Sequence, residues 1–268
     1  MSKIDLGLHP VDDLFTTEEM RNDEKKERVE NIELTKITEF PDHPFHVFKD
    51  DELMKIAQSI KENGVLLPAV ARQKDGKYQL ISGHRRKAAC EILGLETMPV
   101  LIRNMTDDEA VIAMVDSNLH REHILPSEKA FAYRMKRDAL THQGRTSPQL
   151  GEKLLTVEFV GAETGDSKNQ VLRYIRLTNL VKPLLQMVDD GKIAFNPAVE
   201  LSYLTQEEQL QLLDAMEYFD CTPSHAQSIK LKKLSQDGQL NAKIIEDILG
   251  EEKPNQQEHI KLRRDDFR

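Results

Sequence analysis

The residues best suited to chemistry fall in one run, Leu80-Ile81-Ser82-Gly83-His84-Arg85-Arg86-Lys87-Ala88-Ala89. An apolar stretch ends at Ser82. Gly83 lets the backbone turn sharply and lets a ligand come close, and a helix is expected to begin directly after it. A helix start presents unbonded N–H groups and the positive end of the dipole, both of which favour an anion. Arg85, Arg86 and Lys87 would sit in that first turn, where cations are unfavourable unless something negative joins them. The chemistry suggested is phosphate binding, with Ser82, Gly83, His84, Arg85 and Arg86 as candidates. A solvated basic helix start with ordinary surface pairs is the plainer alternative. Histidine side chains titrate near neutral pH, and a phosphate beside His84 would favour the imidazolium.

A second run, Asp116-Ser117-Asn118-Leu119-His120-Arg121, lies between two expected helices. Arg121 offers a planar fork for phosphate, Asn118 an amide, and Asp116 a carboxylate able to reach a hard cation such as Mg2+. The alternative is that Asp116 and Asn118 only cap a helix end. His120 and His123 sit three apart with no third ligand in view, which favours a surface role over a metal site. No hydroxyl has the His and Asp companions of an activated nucleophile.

A third group lies at 150–188 and has the pattern of a helix-turn-helix. Val157, Phe159 and Val160 supply one helix, and Gly161, Thr164, Gly165 and Asp166 break it. Ser167 caps the next, with Val171, Leu172, Ile175, Leu177 and Leu180 as core positions. Ser167, Lys168, Asn169, Gln170, Arg173, Tyr174 and Arg176 are left outside as a polar, cationic face. Amide side chains of this kind read adenine edges, and arginines read guanine or phosphate. Ser167 to Val188 holds four basic residues and no acidic ones. Arg145 and Thr146, in the preceding loop, could add phosphate contacts.

The elements that must position these groups change in kind along the chain. From 31 to 105 strands and helices alternate. Ile32-Glu33-Leu34 and Ile37 suggest a short first strand, and Leu53, Ile56, Ala57 and Ile60 a helix closed at Asn63-Gly64. Ala69-Val70-Ala71 and Tyr78 to Ile81 read as a hairpin about Asp75-Gly76. A helix with Ala89, Ile92 and Leu93 on one face and a strand at 98–102 complete the unit. After 105 the strand signals stop. Thr106-x-x-Glu109, Ser167-x-x-Gln170 and Thr205-x-x-Glu208 read as capping boxes, and Pro126-Ser127-Glu128 opens a helix to about His142. Leu231, Leu234, Leu240, Ile244, Ile245, Ile248 and Leu249 make a partner seam or complete a core, with the core favoured.

The fold class expected is an α+β N-terminal domain, a small mixed sheet with helices, followed by an all-α helix-turn-helix region. The divisions expected are a charged arm at 1–30, an α/β domain at 31–125, a helical domain at 126–220, and a C-terminal helix and polar tail at 221–268. With 268 residues and a net charge of −9, the chain is not an overall basic nucleic-acid binder, although a local basic face remains possible. Two cysteines cannot build a disulfide framework or a four-cysteine zinc site. No apolar run approaches the roughly 20 residues of a membrane span, and the start lacks a signal-peptide pattern. The expectation is a cytoplasmic protein with reduced thiols.

Residues 31–140 resemble the ParB/RepB family of partition proteins. The resemblance is carried by Ile32 to Ile37, Leu53 to Pro68, Ile81 to Ala89, Ser117 to Arg121 and Leu125 to Ala130. It implies a CTP-binding switch in which Gly83, Arg85 and Arg86 hold the triphosphate. Asn118 and Arg121 would complete the nucleotide and magnesium pocket, and Gly64, Val65 and Pro68 would line the nucleoside side. It also implies a homodimer on a short palindromic DNA site, a clamp closed by nucleotide, a ParA-type ATPase partner, and nucleoid association. The family pattern G-E-R-R-x-R-A has His84 for its acidic residue and Ala88 for its third arginine, and E-N-L-Q-R has Ser117 for its glutamate. Serine cannot supply a carboxylate to a metal. Nucleotide binding is therefore the expectation, with CTP hydrolysis weak at most because His84 and Ser117 replace the family's acidic residues. A transcriptional or nucleoid-occlusion-like regulator would use the same residues. A small-molecule kinase or nuclease on this fold would not need the basic helix at 167–180.

Overall fold

The computed structural model describes residues 28–48, 50–121, 123–142, 157, 159–161 and 164–251. Two compact units divide between Ser117 and Asn118. Arg145, Thr146 and almost all of the 1–30 arm lie outside the described residues.

The first unit is a five-stranded mixed sheet with helices. Its strands are β1 (Arg28–Glu33), β2 (Ile37–Thr38), β3 (Ala69–Lys74), β4 (Lys77–Ser82) and β5 (Thr97–Ile102), in the order β1-β5-β3-β4-β2. β1 runs antiparallel to β5 and β3 to β4, while β3 is parallel to β5 and β2 to β4. Asp75 and Gly76 both have positive φ (52° and 73°), as the primed hairpin turn requires. The first strand differs from expectation. A 3-10 turn at Leu34–Lys36 splits it, and β1 starts at Arg28, inside the stretch assigned to the arm. Only Ile32 of β1 is buried, so the strand is held by backbone pairing to β5 and leaves no alternating pattern to read.

Helix α1 (Asp51–Asn63) starts where the Asp50 side chain accepts the Leu53 N–H at 2.8 Å, and it buries Leu53, Ala57 and Ile60. Gly64, at φ 71°, ends it with its N–H on the Ile60 carbonyl. Helix α2 (His84–Ile92) buries His84, Ala89 and Cys90. Leu93 packs on the core, but Ile92 is exposed, contrary to its expected place. Helix α3 (Asp107–Leu119) opens with the expected box, Thr106 N–H to Glu109 Oε2 at 2.9 Å and Glu109 N–H to Thr106 Oγ1 at 3.3 Å.

The second unit is helical. It comprises α4 (Pro126–His142), α5 (Lys168–Leu177), α6 (Lys182–Asp189), α7 (Phe195–Leu201), α8 (Gln206–Tyr218), α9 (His225–Gln236) and α10 (Ala242–Gly250). One core takes Ala130, Leu177, Leu184, Leu201, Leu212, Leu231, Ile245 and Ile248. The described residues after 220, through α10, pack their apolar side chains into this same core. Thr205 and Glu208 form their capping box, and Ser224 with Gln227 form another that the sequence reading did not single out.

Candidate nucleotide site and candidate nucleic-acid interface

Gly83 is the N-cap of α2, with φ 106° and ψ 20°, and a Cβ there would stand 2.8 Å from the Ala69 Cβ. Glycine is therefore required twice, by conformation and by the close approach of β3. It can offer no side-chain cap, so the first N–H groups of α2 receive none from it. Ser82 sits at the end of β4, paired with Val70 beside a bulge.

The three cations that follow separate into two kinds. Arg85 is held by Asp50 and, at 2.9 Å, by Glu52 Oε2. The Leu53 N–H foremost, and Arg85 with it, hold the Asp50 carboxyl below its ordinary value. Lys87 is held by Glu39 at 2.6 Å and Glu91 at 3.2 Å. Burial works against its charge, but the two carboxylates outweigh burial and raise its pKa. Both are ordinary ion pairs. Arg86 differs. Its Nη1 donates to the carbonyls of Leu67 and Pro68, each at 2.6 Å, and among the described residues no carboxylate pairs with it. Burial pulls its pKa down from the ordinary arginine value, yet the guanidinium remains charged near neutrality. Leu66 and Leu67 are exposed beside it, in the loop between Gly64 and Pro68.

A half-buried cation with no counter-charge among the described residues, next to an uncapped helix start and a glycine that admits close approach, fits a phosphate chain. The fit to magnesium is poorer. The Ser117 hydroxyl donates to the Met114 carbonyl at 2.9 Å. Asp116 and Asn118 both lie on α3, and the Arg121 N–H donates to the Asn118 carbonyl at 3.2 Å. Among the described residues no three His, Cys, Asp or Glu side chains gather as a metal set.

In the helical unit, α5 is delivered by the turn before it. Tyr133, fully buried on α4, places its hydroxyl 2.5 Å from Asp166 Oδ2 and 2.6 Å from Thr164 Oγ1. Lys129 pairs with Asp166 at 2.6 Å and lies over the rings of Tyr174 and Tyr133. Burial, then Asp166, raises the Tyr133 pKa. Burial pushes the Asp166 carboxyl up, but hydrogen bonds from Lys129 and Tyr133 outweigh it and leave the pKa lowered. The Lys129/Tyr133 spacing of one helical turn and the Asp before the Ser167 cap were the signals for this network. Gly161 is also required, since a Cβ there would stand 2.8 Å from Val171 Cγ2.

The face of α5 is narrower than its sequence suggests. The Ser167 hydroxyl accepts the Gln170 N–H at 3.3 Å. Ser167 and Asn169 are exposed, and Lys168 and Gln170 partly so, at the N-terminal end that reads bases in a helix-turn-helix. Tyr174 instead packs inward, 4.7 Å from the Phe195 ring. Arg173 bonds Asn196 at 2.5 Å and lies over Phe195. Arg176 lies 3.9 Å over Tyr203 and donates to the Ser202 carbonyl. Leu172, expected in the core, is exposed. Aromatics on α4 and α7 draw the middle of α5 inward, which periodicity along α5 alone cannot reveal.

This geometry defines a small α/β module with an anion-ready helix start, followed by a helical unit. Residues 18–119 match the ParB N-terminal domain family. The chain is 35% identical over 162 residues to a probable chromosome 1-partitioning protein ParB of Deinococcus radiodurans, covering 60% of this chain and 51% of that one. It is 31% identical over 163 residues to the chromosome-partitioning protein Spo0J of Thermus thermophilus, covering 61% and 55%. It is 30% identical over 148 residues to a nucleoid occlusion protein of Halalkalibacterium halodurans, covering 55% and 48%. The chain spans about half the length of these relatives. Among solved structures, it is similar to a C-terminally truncated ParB of Caulobacter crescentus complexed to the centromeric parS site, with 19% identity, 82% and 97% coverage and a TM-score of 0.44. The same protein complexed with CTP-gamma-S gives 22% identity, 71% and 99% coverage and a TM-score of 0.33. The match to the ParB N-terminal domain family is thus carried by the α/β unit.

Proposed function

We propose that this chain is a sequence-specific DNA-binding partition protein whose α/β unit takes a cytidine triphosphate and so controls a dimeric clamp on DNA. The observation that carries the nucleotide reading is Arg86, a half-buried cation at the start of α2 whose partners among the described residues are carbonyls. Gly83 would admit the phosphates, Arg86 would supply charge, and Gly64 and Pro68 would border the base. Arg85 would act mainly by fixing α2 to the start of α1. CTP is preferred because a ParB relative has been seen with CTP-gamma-S. Mg2+ would come with the triphosphate, matched chiefly by phosphate oxygens, with Asp116 as a candidate protein donor. With no glutamate at 117, binding without rapid turnover is the expected behaviour.

Lys168, Asn169 and Gln170 would read DNA as the exposed start of α5, with Arg145 and Thr146 on phosphates. Homodimerisation on a palindrome, a ParA-type ATPase met through the N-terminal arm, and nucleoid association complete the proposal. A regulator without a segregation role is a second reading, favoured by the nucleoid occlusion relatives. Immunoprecipitation of chromosomal DNA separates the two. Partition predicts clustered palindromic sites with signal spreading outward, and the spreading is lost in Arg86→Ala. Dispersed, narrow peaks at promoters would reject segregation in favour of regulation.

A further inference from the structure

At the start of α2 two imidazoles share a cluster with charged side chains, an arrangement that phosphate binding does not require. His84 is buried, with its Nε2 3.3 Å from Glu39 Oε2. The His43 ring lies across it, centroids 4.0 Å apart and planes inclined by 48°. His43 Nδ1 is 2.7 Å from the Phe45 carbonyl, a distance at which that nitrogen donates. Glu39 is shared with Lys87, which also reaches Glu91. The other charges around α2 are Arg85, neutralised by Asp50 and Glu52, and Arg86 on its two carbonyls.

These groups pull the His84 proton in opposite directions. Glu39 favours the imidazolium. Burial, the helix start, Lys87, Arg86 and any charge on His43 oppose it. Glu39 is already committed to Lys87, so the groups named here on balance disfavour the imidazolium while the site holds no anion. A phosphate chain at the start of α2 brings several negative charges and reverses the balance.

We propose that anion binding at this site is proton-linked, with His84 taking up the proton. The inference rests on the triphosphate reading above. It makes CTP affinity fall with rising pH, by at most about tenfold per unit across the interval between the free and bound pKa values of His84.

The test is calorimetric titration of CTP with Mg2+ into the full chain at pH 7, in non-phosphate buffers of different ionisation enthalpy. The dependence of the observed heat on buffer ionisation counts protons. Net proton uptake is expected for the wild type, since an ordinary imidazole is mostly neutral at pH 7. His84→Gln should lose that uptake, while any contribution from CTP's own phosphate stays in both proteins. Because His84 is buried, imidazole NMR on the wild type provides an independent reading: CTP should raise the His84 pKa by about one unit or more. CTP binding with no excess proton uptake and no upward shift overturns the inference and leaves the nucleotide reading standing. No CTP binding by the wild type between pH 6 and 8 overturns both.

Discussion

Replacing Tyr133 by Phe removes one oxygen from a fully buried side chain and, with it, hydrogen bonds to Asp166 and Thr164. A hydrogen bond to a charged acceptor contributes about 1.5–3 kcal/mol, and one between neutral groups about 0.5–1.5 kcal/mol. The two do not simply add here, because Asp166 keeps Lys129 at 2.6 Å and Thr164 keeps the Gly161 carbonyl at 3.2 Å. A loss of about 2 kcal/mol is expected, at the lower end for a charged acceptor. The chain has two units whose unfolding need not coincide, so amide hydrogen exchange is the suitable assay. Opening of α5 should become easier by that amount, with β3 and β4 unchanged. A cycle with Asp166→Asn should show a coupling of about 1–2 kcal/mol. The pH dependence has a definite sign. The Asp166 pKa is lowered in the folded protein, so its contribution is present above the unfolded carboxyl value and is lost as pH falls through the folded one. The difference between wild type and Asp166→Asn should therefore shrink below about pH 4. Unchanged α5 exchange in Tyr133→Phe, or additive single effects, would refute the claim that this network holds the turn.

Gly83→Ala should destabilise the α/β unit by about 1–2 kcal/mol from positive φ alone, with the Ala69 contact adding to it, as a lowered thermal midpoint of that unit would show. Asn169→Ala should cost about 1–3 kcal/mol at one base pair and relax specificity there, whereas Lys168→Ala should weaken binding evenly across sequences and reduce the salt slope by about 1; quantitative binding to the immunoprecipitated site and its single-base variants checks both. Cys90 is fully buried, and burial first, then Glu91, raises its thiol pKa, while Cys221 is partly exposed. A thiol reagent should therefore modify Cys221 well before Cys90 in the native protein, which mass spectrometry of peptides at timed intervals would verify.

What the sequence revealed was local. Asp75-Gly76 names its own turn, Thr106 with Glu109 and Thr205 with Glu208 announce their helices, and Ser82-Gly83 marks a strand feeding a helix start. What it concealed was set by partners distant along the chain. Arg85 and Arg86 are neighbours of the same type, yet Arg85 is claimed by Asp50 and Glu52 and Arg86 by the Leu67 and Pro68 carbonyls, and only the fold brings those groups near. Tyr174 and Arg176 lie on the outward side of α5 by periodicity, but Phe195 and Tyr203, supplied by α7 and the turn after it, cover them. β1 gave almost no signal because an edge strand paired through its backbone needs little from its side chains.

The central claim is that the start of α2, through Gly83 and Arg86, holds the triphosphate of a nucleotide. Calorimetric titration of CTP, ATP and GTP with Mg2+ into wild type and Arg86→Ala tests it most directly. The account predicts saturable, CTP-selective binding by the wild type and a loss of more than tenfold in the variant, consistent with a charge-assisted contact of about 1.5–3 kcal/mol. Equal CTP affinity in the two proteins, or no binding of any of the three nucleotides by the wild type, would contradict it.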